Sequence, residues 1–108
     1  MLIHLGPMGP CIVPKTELSY SEASDLSIKL WLNGQLKQDG RTSNMLFDIK
    51  EIIHQLSQGF TLLPGDIILT GTPAGVGFAS NPPFSLKAGD IIRIEIEKIG
   101  ALENHVVS

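Results

Sequence analysis

Thr70 and Thr72 are the side chains whose neighbours best equip them for chemistry. They stand in residues 61–77, TLLPGDIILTGTPAGVG, where Pro64, Gly65 and Asp66 are turn residues and residues 67–69 form a run too apolar for a strand with one wet face. The pattern predicts a turn, a fully buried strand and then a loop carrying the two hydroxyls. Each hydroxyl both donates and accepts a hydrogen bond, which suits a carboxylate or enolate oxygen. Gly71, Gly75 and Gly77 permit backbone angles and close approaches that a Cβ would forbid. Binding and catalytic groups often sit on such loops, held by a rigid scaffold, although turn requirements alone would also produce this segment.

The phosphate cradle is the first alternative, and it fails on spacing. A P-loop needs four residues between its glycines, a Lys and a Ser or Thr after the second glycine, and a helix; here Gly77 leads into Phe78-Ala79-Ser80-Asn81-Pro82-Pro83. His4, His54 and His105 are far apart, and no HExxH or paired ligand spacing exists, so a metal centre built from this chain alone is not expected. Glu95 and Glu97 share one strand face and could form an acid and base pair or a metal face, but Arg93 on that face partly neutralises them and a solvent face is the simpler reading. Asp66 and Asp90 each follow a glycine in a turn, where an Asp usually accepts from nearby backbone amides. Ser57 and Ser80 lack a nucleophile elbow, and Cys11, the single cysteine, has no motif neighbour.

Positioning these residues falls to a chain of 108 residues, 43% hydrophobic and 18% charged, which fits one domain, residues 1–108, with one core. A net charge of -3, with scattered Lys and Arg, gives no footprint for nucleic acid. No apolar run reaches the roughly 20 residues that cross a bilayer, so no membrane association is expected. One cysteine excludes an internal disulfide and favours a reducing compartment, hence a cytoplasmic location, with a mitochondrial form left open by any upstream targeting segment.

Periodicity then supplies the elements. Three prolines keep residues 5–17 free of helix, with Ile12 and Val13 a short edge strand. Ile28, Leu30 and Leu32 alternate with polar neighbours as a strand, Asn33-Gly34 is a type I′ hairpin signal, and residues 35–38 return. Met45, Ile49, Ile52, Ile53 and Leu56 fall at helical spacing, capped by Ser43 or Asn44 and ended by Gly59 in left-handed conformation. Ile92, Ile94 and Ile96 alternate with Arg93, Glu95 and Glu97 across residues 91–99, a last strand. About five strands and one main helix predict a β-rich α+β unit, a rolled mixed sheet plugged by the helix.

Taken together, Gly6-Pro7, Ile12-Val13, Glu17, Leu26, Leu32-Asn33-Gly34 with Gln38, residues 42–47, Leu56-Ser57, residues 62–77, Ala88-Gly89-Asp90 and residues 99–104 resemble the C-terminal half of the catalytic domain of the fumarylacetoacetate hydrolase family. The resemblance spans almost the whole chain, and PGDIILTGTPAGVG is its most specific part. It implies a fumarylacetoacetate hydrolase C-terminal-like fold and a metal-dependent enzyme acting on a 2-oxo or 2,4-dioxo acid by carbon-carbon hydrolysis, decarboxylation or keto-enol isomerisation. In such enzymes Mg²⁺ or Mn²⁺ stabilises the developing enolate. The substrate-contacting threonine maps onto Thr72, with Gly71 beside it and Thr70 preceding. The family's Glu-x-Glu metal pair, following Asp, substrate-contacting Lys and catalytic His have no counterpart in this chain, so no catalytic or metal-ligating residue and no cofactor is expected on it alone. The expected partner is a small oxo acid. Strands meant to pair with an absent half would leave open edges, so a homo-oligomer is also expected. The competing reading is a truncated, inactive β-rich interaction module.

Overall fold

The computed structural model describes residues 6–108, and the readings made on Leu5 and His4 lie outside them. The α+β expectation holds. Four strands, β1 (Ser27–Leu32), β2 (Gln35–Arg41), β3 (Ile91–Ile96) and β4 (Gly100–His105), form one sheet in the order β2-β1-β3-β4. All three pairings are antiparallel, so the sheet is not mixed as expected, because each neighbouring pair is made by a hairpin or by a long return that reverses direction. Ile12 and Val13 form no strand.

Alternation decides the two faces. Ile28, Leu30 and Leu32 of β1 stand opposite Ile96, Ile94 and Ile92 of β3, and Ile94 opposes Leu102 of β4, giving one continuous apolar face. On the other face Lys29 opposes Glu95 and Trp31 opposes Arg93. There Arg93 donates to the Glu95 carboxylate at 2.7 Å and lies 3.9 Å from Glu103, which makes Glu95 part of a solvated charge ladder.

Asn33 (φ 50°) and Gly34 (φ 80°) make the β1–β2 turn with both central residues left-handed, as the hairpin signal requires. Asn33 does more than turn: its amide donates to Asp90 at 2.9 Å and its carbonyl accepts from the Ile91 amide at 2.8 Å, pinning the hairpin to the start of β3. Residues 91–99 are not one strand. The chain reverses through Glu97-Lys98-Ile99 with Lys98 at φ 63°, and β4 returns; no Asn-Gly or Asp-Gly marks this turn.

Pro64-Gly65-Asp66 and Ala88-Gly89-Asp90 are copies of one turn. In each the glycine sits at φ 94° and the aspartate accepts from the amide three residues earlier, Leu63 at 2.7 Å and Lys87 at 2.8 Å. The structural reading of Asp66 and Asp90 is thereby observed.

The main helix, α2 (Ile49–Gly59), starts later than expected. Thr42–Asn44 form a 3-10 turn, and Asp48, not Ser43 or Asn44, caps α2 by accepting from the Glu51 amide at 2.8 Å. Gly59 is the last helical residue, not a left-handed terminator, and Phe60 is extended beyond it. A short helix, α1 (Tyr20–Ala23), carries a capping box in which Ser19 and Glu22 exchange bonds.

Two packing expectations are overturned. Residues 67–69 form no strand, and Ile67 and Leu69 are 66% and 92% exposed, because among the described residues no neighbouring strand or layer covers them. Nor does α2 plug the sheet: none of its residues is buried, and among the described residues Leu26, 3% exposed, is the sole buried apolar side chain. The single core that the composition permits is therefore thin here.

Candidate functional site

The loss of a plug leaves a hollow. A cleft of about 540 Å³ opens between the sheet, at Ile28 and the end of β2, and the segment that runs from the 3-10 turn into α2, at Met45, Phe47 and Ile52; residues 70–74 form a further wall. Thr70, Gly71 and Thr72 thus line one hollow together.

The position of that wall follows from β2. Between Leu30 and Trp31 of β1 the β2 register skips one residue, so Lys37 is an extra, bulged residue. Beyond it, Gln38 and Gly40 stand opposite Leu30 and Ile28 on the apolar face. Gly40 has no side chain to keep the loop away: a Cβ there would meet Pro73 at 3.0 Å. Gln38, only 8% exposed, donates to the Thr72 hydroxyl at 2.8 Å and to the Pro73 carbonyl at 2.7 Å. Gly75, at φ 108°, brings its Cα so close to β2 that a Cβ would run into the Lys37 carbonyl oxygen. The loop is clamped to the sheet at 72, 73 and 75.

Charge around the cleft is mostly committed elsewhere. Arg41 lines it but donates to the Asp25 carboxylate at 2.8 Å and to the Asp25 carbonyl at 2.9 Å. The bond from Arg41, followed by one from Ser43, holds the Asp25 carboxyl below its usual range, and Asp25 in turn raises Arg41. Thr42 ties this rim to β1, donating to the Ala23 carbonyl and accepting from the Leu26 amide, each at 2.8 Å. Asp39 contributes the one carboxylate on the cleft wall.

The other candidates lie outside the cleft. Exposed His54 is on α2, with Ser57 donating to its carbonyl at 2.9 Å; His105 is 3.7 Å from Glu103 at the far end of β4. Ser80 donates to the Val76 carbonyl at 2.9 Å. Glu97 accepts from the Ser27 amide at 3.0 Å, and the exposed Cys11 thiol faces the Ile99 carbonyl at 3.6 Å. The cleft also takes Asp39 and Asn44, and Gln38 holds its loop; Gln38 stands in the sequence only as one residue of the family resemblance, because the bulge at Lys37 takes it out of alternation with Leu36.

Mg²⁺ or Mn²⁺ needs a cluster of hard oxygen donors. Asp39, the two threonine hydroxyls and Asn44 are the polar side chains the cleft offers besides Arg41 and Thr42, and among the described residues no three His, Cys, Asp or Glu side chains converge. The donor set present does not form a cation cage by itself. Among the described residues no helix is long and apolar enough to cross a membrane.

Residues 3–107 match the family model described as fumarylacetoacetate (FAA) hydrolase, C-terminal. The oxaloacetate tautomerase of Bacillus subtilis is 48% identical over 100 residues, covering 93% of this chain and 33% of the relative. Among solved structures, a fumarylacetoacetate hydrolase from psychrophilic Exiguobacterium antarcticum superposes with a TM-score of 0.88 at 43% identity, covering 94% of this chain and 36% of that one. Maleylpyruvate hydrolase from Sphingobium sp. SYK-6, in complex with manganese(II) and pyruvate, superposes with a TM-score of 0.80 at 39% identity, covering 92% and 34%. The chain spans about a third of the length of the relatives it matches.

Proposed function

Since this chain belongs to the fumarylacetoacetate hydrolase C-terminal family, we propose that it supplies the substrate-facing wall of an enzyme acting on 2-oxo or 2,4-dioxo acids, with Thr72 as the group that contacts the acid and Gly71 and Thr70 flanking it. The observation that supports this reading is that Thr72 is a residue of the cleft lining and that its hydroxyl is held by buried Gln38. Relatives that act on oxaloacetate and maleylpyruvate, one of them seen with manganese(II) and pyruvate, support the substrate class.

Thr72 donates a hydrogen bond to an oxygen of the acid. When that oxygen gains charge on the way to an enolate the bond becomes charge-assisted and strengthens, so it lowers the barrier more than it tightens ground-state binding. The apolar side chains of Ile28, Met45 and Ile52 on the same cleft offer that oxygen no competing hydrogen-bond partner. Bound Mg²⁺ or Mn²⁺ supplies Lewis-acid polarisation of the oxo acid, and we assign its ligands, with the base that moves the proton, to parts of the complete enzyme beyond these residues. Hydrolysis, decarboxylation and tautomerisation all pass through such an enolate, and the groups assigned beyond this chain select among them.

A second reading, an interaction surface, draws on the exposed run of Leu63, Ile67 and Leu69. We propose that this run is covered in the assembled enzyme, by its own remaining chain or a second copy. The test of the main reading is Thr72→Val in a full-length family enzyme carrying this segment. Turnover falls roughly ten- to a hundred-fold, the scale of one hydrogen bond to a charged group, with thermal stability retained. Unchanged kinetics removes Thr72 from the site.

A further inference from the structure

Gln38 reaches Thr72 with its nitrogen, and the direction of that bond constrains what Thr72 can do. The same nitrogen lies 2.7 Å from the Pro73 carbonyl, which can only accept, so the amide is oriented with its NH₂ toward the loop and its two hydrogens are shared between Pro73 O and Thr72 Oγ1. Thr72 therefore accepts from Gln38. Its own hydrogen has no acceptor among the described residues, and Thr72 is one of the residues lining the cleft.

We propose that Gln38 is a positioning residue that fixes the polarity of the Thr72 hydroxyl, so that the cleft presents a hydrogen-bond donor at this point and selects an acceptor oxygen, carboxylate, carbonyl or enolate, in the ligand. This rests on the oxo-acid reading above and deepens it. Without the Gln38 N–H donating to it, nothing on this side of the loop would fix which way the Thr72 hydroxyl hydrogen points. Burial makes the arrangement stiff, because an unpaired Gln38 amide would itself be costly. The bulge at Lys37 and the bare Gly40 are what allow the amide and the loop to meet.

The experiment measures pyruvate binding, in the presence of Mn²⁺, to the full-length family enzyme carrying this segment, with Gln38→Leu, Thr72→Val and both together. The expected result is a roughly ten-fold or greater loss for each single change, with the double change no worse than Thr72→Val alone, because Gln38 acts through Thr72. Gln38→Glu keeps the size of the side chain but replaces its donors by acceptors that draw the Thr72 hydrogen away. It is expected to bind pyruvate more weakly than Gln38→Leu, and that extra loss disappears when Thr72 is Val; a side chain needed only for filling would give the opposite order. Should Gln38→Leu fail to fold, the Glu variant with and without Thr72→Val makes the same comparison. A Thr72→Val loss with a neutral or additive Gln38 change overturns the polarity role and leaves the oxo-acid reading standing. An unchanged Thr72→Val overturns both.

Discussion

The loop glycines differ in what they permit, and that difference is measurable. Gly71, at φ 90°, has open space where a Cβ would go, whereas Gly75, at φ 108°, would drive its Cβ into the Lys37 carbonyl. Gly71→Ala thus costs backbone strain of about 1–3 kcal/mol. Gly75→Ala adds a collision that only detachment of the loop from β2 relieves. Urea unfolding of the full-length family enzyme is expected to rank Gly75→Ala as the more damaging, with turnover lost as well; equal or reversed effects would show that the loop is not clamped at 75. Thr70 and Thr72 were legible because glycines and a proline framed two hydroxyls. Gln38 was legible only as one residue of a motif. Its burial depends on a bulge and on Pro73 lying over Gly40, neither of which has a signature in residues 35–40.

At the level of elements, the sequence carries local signals plainly and non-local ones weakly. Asn33-Gly34 dictates its hairpin through backbone angles that few other pairs adopt, and the alternating isoleucines of β3 state which face is apolar. The β3–β4 reversal at Lys98 carries no such signal; nearby chemistry holds it instead. Lys98 donates to Glu22 of α1 at 2.8 Å, and that bond, with those from Ser19, lowers the Glu22 carboxyl to about 2. Since the folded value lies below the ordinary 4.5, this contact stabilises the fold above pH 4.5 and is lost as pH falls from there through about 2. The melting temperature is expected to drop across that window and to drop less in Glu22→Gln, with the residual slope left by Asp25 and Asp90, which are also lowered. Salt weakens the difference because the pair is exposed. An identical acid profile in the variant would show that the α1 contact to the β3–β4 turn does not form in solution.

For the whole molecule, the gap between pattern and packing is the informative result. Residues 67–69 are as apolar as a central strand and α2 is amphipathic, yet neither is buried among the described residues, where Leu26 is the sole buried apolar side chain. Hydrophobic pattern reports what a segment is selected to pack against, and here that surface is not supplied by residues 6–108. Relatives about three times as long share this segment at 48% identity, which accounts for a pattern suited to a larger assembly. The proposed role of these residues is one wall of an oxo-acid cleft, with Thr72 presenting its hydroxyl hydrogen. The most direct measurement is a structure of the full-length family enzyme carrying this segment with pyruvate and Mn²⁺ bound. An oxygen of pyruvate is expected about 2.5–3.0 Å from Thr72 Oγ1, with Gln38 still donating to that hydroxyl. Pyruvate bound with no atom within hydrogen-bonding reach of residues 70–72 would contradict it.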